Sequence, residues 1–113
     1  MRMTRQEVKT LMDSIRITTG CPVNLGVFKK PQKLPYIIWM FEGLDGFYAD
    51  NTIFQKIETL IINFCSEKLD FVKESEIETA LLDAGLVFTY QREYIDSEKM
   101  YETHYESEVL ING

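Results

Sequence analysis

The stretch YETHYESEV, residues 101–109, alternates without a break: Tyr, Thr, Tyr, Ser and Val hold the odd positions, and Glu, His, Glu and Glu the even ones. A period of two belongs to a β-strand, whose successive side chains point to opposite faces. The segment therefore has one face of aromatic, small and apolar residues and one face carrying Glu102, His104, Glu106 and Glu108. Whatever fold the chain adopts must give this strand a polar side.

Four uses of that side stay open on pattern alone: a metal site, a catalytic site, a solvated face, or a surface built to meet something else. Same-face residues on a strand lie about 6.8 Å apart, at ~3.4 Å per residue, which spreads three ligands too widely to chelate one ion. Transition-metal sites usually draw on several elements, and His104 is the only histidine in the chain. No G-x-S-x-G, phosphate-binding glycine loop or H-E-x-x-H occurs. The one GxxG, GLDG at 43–46, lacks the following helix that phosphate cradling needs. The expectation is a non-enzymatic protein with no catalytic, cofactor-binding or metal-ligating residues.

The rest of the chain supplies two helices and further strands. Thr4 and Glu7 form a T-x-x-E capping box, Val8, Leu11, Met12 and Ile15 follow at helical spacing, and Gly20 and Pro22 end the helix. VNLGVF (23–28) predicts a short edge strand, KKPQKLP (29–35) a basic loop, and YIIWMF (36–41) a central strand covered on both faces. EGLDGFYADN (42–51) has turn composition, yet Leu44, Phe47 and Tyr48 lie in it and either fold back on the core or insert into a partner. TIFQKIETLIINFC (52–65) reads as the longest strand, with Ile57, Ile61 and Cys65 on one face and Leu60, Ile62 and Phe64 on the other. A helix over 53–62 is the alternative. SEKLDFVKESEIETALLDAG (66–85) predicts a helix with Val72, Ile77, Ala80, Leu81 and Ala84 on one face, the acids opposite and Gly85 as cap.

LVFTYQREYI (86–95) and KMYETHYESEVLI (99–111) form a hairpin around the turn DSE. Tyr90, Tyr94, Tyr101 and Tyr105 fit cross-strand packing; a base-stacking platform would need interleaved cations, and only Arg92 is offered. The predicted fold class is α+β, one domain over 1–113, with a mostly antiparallel sheet of about five strands packed by two helices in the order α-β-β-β-α-β-β.

Charge is divided along the chain. Residues 1–40 carry seven Lys/Arg against two acids, net +5, and residues 41–113 carry five against sixteen, net −11. The overall −6 argues against nonspecific DNA binding, which needs a basic footprint. Opposite polarities on one small body favour head-to-tail association of copies, with Lys29, Lys30 and Lys33 facing a neighbour's acidic surface; such contacts weaken as salt screens them. Cys21 and Cys65, isolated in sequence, are expected to be reduced structural thiols. No apolar run reaches the ~20 residues of a bilayer span, and MRMTRQEVKT lacks signal-peptide character, so no membrane association and synthesis in the cytoplasm are expected.

LPYIIWMFEG, GFYADNTIFQKIETLIINFCSEKLDF, the helix through LLDAG and above all YQREYIDSEKMYETHYESEV give the chain its resemblance to a known family. It resembles the minor tail, or tail-completion, proteins of head–tail connection modules in long-tailed phages and prophages of Gram-positive bacteria. The resemblance spans nearly the whole chain and is weakest at GVFKKPQKLP. It implies a virion protein made in the host cytoplasm, forming a tail-terminator-like ring, commonly a hexamer, that caps the tail tube protein and meets the head connector proteins. DNA would pass through its lumen without specific binding. The resemblance carries no catalytic residues; it marks GFYADN, with Phe47 and Tyr48, and YIDSEKMYE as interface or structural positions. On this reading Glu102, His104, Glu106 and Glu108 line the lumen or meet a neighbour. The rival reading is a small acidic cytosolic adaptor or inhibitor that binds a basic protein through its C-terminal hairpin.

Overall fold

The computed structural model describes residues 2–43, 47–49 and 53–112. In chain order the elements are β1 (Arg2–Thr4), α1 (Arg5–Thr19), β2 (Val23–Leu25), β3 (Tyr36–Gly43), β4 (Phe47–Ala49), β5 (Ile53–Ser66), α2 (Phe71–Asp83), β6 (Thr89–Ile95) and β7 (Met100–Asn112). A single 3-10 turn, Asp96–Glu98, joins β6 to β7. The fold is α+β: one sheet runs β1-β7-β5-β3-β2, with β4 also on β5 and β6 also on β7.

β5 and β7 form the spine of this sheet, antiparallel from Gln55↔Asn112 to Ser66↔Tyr101. β3 and β4 share the other side of β5, while β6 and β1 share the other side of β7. The pairings β1–β7 and β2–β3 are parallel and the other four antiparallel. The β5 segment is thus a strand from its first residue, and the helical alternative over 53–62 is not taken.

Both helices cover the same face of the sheet. Val8, Leu11, Met12 and Ile15 of α1, with Ile77 and Leu81 of α2, join one core with Ile37, Trp39, Leu60, Ile62, Phe64, Tyr105, Val109 and Ile111. Residues directly opposite in a ladder share a face, so the pairs Ile37↔Phe64, Phe64↔Thr103, Trp39↔Ile62 and Ile62↔Tyr105 all point to the helices.

The expected capping box is formed: the Glu7 amide donates to Thr4 Oγ1 at 3.1 Å and the Thr4 amide to Glu7 Oε1 at 3.0 Å. Gly20, at φ 73°, ends α1 in the left-handed region, its amide donating to the Arg16 carbonyl at 2.9 Å. A side chain there would be strained, which is why glycine closes this helix.

The structure corrects three sequence expectations. β1 and β4, three residues each, add to the expected strands; β1 owes its existence to Leu110–Asn112 at the far end of the chain, a pairing with no local periodicity to announce it. β3 is not covered equally on both faces: Ile37 and Trp39 are buried, while Tyr36, Ile38 and Met40 on the other side are half-buried. The buried stripe of α2 is Glu74, Ile77 and Leu81, and Val72 is 72% exposed. The acids of α2 therefore do not all lie opposite the core. Of the apolar cluster expected in the 42–51 segment, Leu44 and the side chains of Phe47 and Tyr48 lie outside the described residues.

Removing the α1 cap by Thr4→Ala is expected to cost about 1 kcal/mol, read as a lower urea midpoint with an unchanged denaturant slope.

Candidate functional site

The helix-free face of the sheet is the candidate site, and its rows follow from the register. Across β6, β7, β5 and β3 they read Glu93–Glu102–Cys65–Tyr36, Gln91–His104–Asn63–Ile38 and Thr89–Glu106–Ile61–Met40; Glu108, Thr59 and Glu42 continue the pattern. The β6–β7 half is acidic and the β5–β3 half mainly apolar. Glu102, His104, Glu106 and Glu108 therefore share one side, as the alternation of β7 predicts. Glu106 and Glu108 are exposed, and Glu102 and His104 are half-buried.

His104 is tied into this face at both ring nitrogens. Nδ1 lies 2.6 Å from Asn63 Oδ1 across the β5–β7 ladder, and Nε2 lies 2.8 Å from Glu106 Oε1 two residues along β7. Nε2 donates to the Glu106 carboxylate, which can only accept, and the orientation of the Asn63 amide decides whether Nδ1 donates or accepts. Strand spacing alone sets same-face residues too far apart to meet, yet His104 and Glu106 reach each other because both side chains lean along the strand. Among the described residues no group of three or more His, Cys, Asp or Glu is placed to hold a metal ion.

Lys29, Lys30 and Lys33 are exposed on the connection from β2 to β3, at the opposite side of the sheet from β6. The structure does not bring them together with the acidic strand of the same chain. Cys21 and Cys65 are free and buried. Cys65 does not join the helix-side core; it lies in the row between Glu102 and Tyr36. Burial, reinforced by the Glu102 charge, pushes its thiol up to about 11, so it stays protonated and unreactive at neutral pH. Burial, with Cys65 alongside, likewise raises the Tyr36 phenol to about 12.

A second polar constellation lies outside the sequence expectations. Glu74 of α2 is buried at 3% exposure and faces the sheet. Arg92 of β6 grips it with both arms, Nε to Oε2 at 2.9 Å and Nη2 to Oε1 at 2.5 Å, while Thr103 Oγ1 donates to Oε2 at 2.7 Å. Burial alone would raise the Glu74 carboxyl, but the Arg92 and Thr103 hydrogen bonds and the Arg92 charge outweigh it and hold the pKa below the ordinary value. One turn further along α2, Glu78 accepts from the Tyr105 hydroxyl at 2.8 Å. Arg92 also lies over the rings of Phe71 and Tyr90, at 5.3 and 5.6 Å from their centroids. These contacts lock α2 to the hairpin. The available sequence signal is the position of Glu74, three residues before Ile77 and seven before Leu81, on the apolar stripe itself.

No helix among the described residues is long and apolar enough to cross a membrane. No protein-family model matches this chain, and no curated protein does. Among solved structures, it is similar to a chain in the virion of a native gene transfer agent (GTA) particle, with a TM-score of 0.68 and 15% sequence identity. The likeness covers 94% of this chain and 92% of that one, so the two share a fold from end to end.

Glu74→Gln retains the shape and removes the charge. It is expected to cost roughly 3 kcal/mol at neutral pH, the low end for breaking a buried pair, because Arg92 keeps some access to water. The depressed pKa fixes the sign of the pH dependence. The contribution is complete above the unfolded carboxyl value of about 4.3 and is lost as pH falls through the lower folded value. Urea titrations of both forms should differ most near neutral pH and converge on acidification; an equal difference throughout would contradict the ion-pair assignment.

Proposed function

We propose that this chain is a non-enzymatic structural subunit of a phage-like virion, acting at the head–tail joint. Copies form a ring, hexameric as is common among the tail-completion proteins it resembles, that ends the tail tube and meets the head connector. The observation that carries this reading is the end-to-end likeness to a chain of the gene transfer agent virion. The sequence resemblance to tail-completion proteins narrows the role from virion subunit to joint. A fold dominated by one long sheet agrees with an architectural part.

In this reading the helix-free face lines the pore. Glu93, Glu102, Glu106 and Glu108 turned toward a lumen repel phosphates and let DNA pass without adhering, the converse of the counterion release that makes basic grooves bind nucleic acid. His104, held between Asn63 and Glu106, supports this face.

The joint role is tested by electron microscopy of lysates from an induced lysogen lacking this coding sequence. DNA-filled heads beside separate tails are expected. Intact infectious particles would overturn the assignment and bring forward the acidic adaptor. The lumen role is tested separately: Glu102→Lys, Glu106→Lys and Glu108→Lys together should slow DNA ejection from assembled particles, and unchanged ejection and infectivity would exclude a lumenal position for this face.

A further inference from the structure

A ring built from identical subunits needs two different patches on each one, because its contacts run head to tail. Taking the ring proposed for this chain as its premise, strand register points to where those patches lie. Two rows cross five strands: Tyr90–Tyr105–Ile62–Trp39–Leu25, and Arg92–Thr103–Phe64–Ile37–Val23. Each begins on β6 and ends on β2, so these two strands lie at the same level on opposite sides of the sheet, roughly 19 Å apart at four inter-strand spacings. Each pairs on one side only, β6 with β7 and β2 with β3, and no described strand lies beyond either.

Direction is compatible as well. β2 runs parallel to β3, and the three antiparallel steps from β3 through β5 and β7 to β6 leave β6 running opposite to β2. A second copy placed alongside would therefore meet the first in the antiparallel sense. β6 is seven residues long with neither proline nor glycine. Such an edge is a template for unwanted pairing unless something covers it.

Surface chemistry matches across the two edges. Tyr90 on β6 is 54% exposed and Leu25 on β2 is 61% exposed, at the two ends of the same row. The 26–35 connection returns the chain from the level of Trp39 to that of Tyr36, which is the level of Glu93, and it presents the exposed Lys29, Lys30 and Lys33. At the other edge stand the exposed Glu93 and Glu98; Asp96, also exposed, is shared with Lys99 at 3.2 Å. Acid faces base and apolar faces aromatic when one edge is set against the other.

We infer that the outer edge of β6 docks antiparallel against the outer edge of β2 in a second copy of this chain, bringing Tyr90 beside Leu25 of the neighbouring copy. Repeated around a closing rotation, this contact continues the sheet from subunit to subunit and gives the ring an unbroken inner wall. The occupant of both edges is the chain itself.

Disulfide trapping tests the contact. Directly opposed antiparallel residues lie about 4.5–5.5 Å apart between Cα atoms, within reach of a disulfide. Leu25→Cys and Tyr90→Cys are made singly and together in the full chain; both positions are exposed, and circular dichroism checks that each variant folds. Under mild oxidation at high protein concentration, the double variant should shift from the monomer band to a ladder of covalent multimers. An equimolar mixture of the single variants should give a dimer containing one of each by mass, and each single variant alone should stay monomeric. The same measurement is made on particles purified from lysates carrying the variants. Leu25-to-Leu25 or Tyr90-to-Tyr90 links, or no mixed link in either preparation, would overturn the contact. Mixed links in free protein that is missing from particles would uphold the contact and remove the virion role. Protein present in particles without mixed links would do the reverse.

Discussion

The antiparallel ladder between β5 and β7 is the constraint on which the rest of the structure depends. Every other strand except β2 attaches directly to one of these two, and β2 attaches through β3. The two strands meet different demands. β5 lies between neighbours across most of its length and buries Ile61 and Cys65 on one face as well as Leu60, Ile62 and Phe64 on the other. From Thr103 to Ile111, β7 buries only its odd positions, and Met100 at its start is buried as well. A one-residue slip in their pairing would turn Glu102, Glu106 and Glu108 into the helix-side core, at a cost no domain of this size could absorb. The alternation of β7 thus fixes the register of the sheet, and through it the placement of both edges.

Once that register is set, the two faces diverge. One receives both helices and becomes the core. The Glu74–Arg92–Thr103 cluster lies at the margin of that core, tying α2 to β6 so that the hairpin keeps a defined angle to the helices. A buried ion pair is a weak source of net stability compared with apolar packing, and its value lies in geometry. Here it holds the edge strand that is proposed to meet the next subunit. The other face stays free of helices, with Glu106 and Glu108 exposed and Glu102 half-buried.

Much of this is legible in the sequence, and the exceptions share a cause. The α1 cap, the long β5 strand, the hairpin and the polar side of β7 all rest on patterns within a few residues of each other. β1 depends on residues more than a hundred positions away, which no local period can report. A search for apolar periodicity admits Val72 and rejects Glu74, and so misreads the stripe of α2. What reverses them is an arginine eighteen residues on that neutralises the carboxylate. For the candidate site, alternation places Glu102, His104, Glu106 and Glu108 on one side, but strand spacing alone misses the convergence of His104 with Asn63 and Glu106. Lys29, Lys30 and Lys33 fall at the opposite edge, where only the sheet order could put them.

The asymmetry between faces and between edges agrees with the proposed function. An uncovered acidic face suits a passage for DNA, and complementary edges suit a closed ring; neither requires a catalytic group. The most direct measurement is localisation of the chain within purified particles, by nanogold labelling of a tagged copy combined with mass spectrometry of the particle proteins. A subunit of the joint gives label confined to the junction between head and tail, at the few copies per particle of a single ring. Label spread along the tail tube, or absence of the chain from purified particles, would contradict that role.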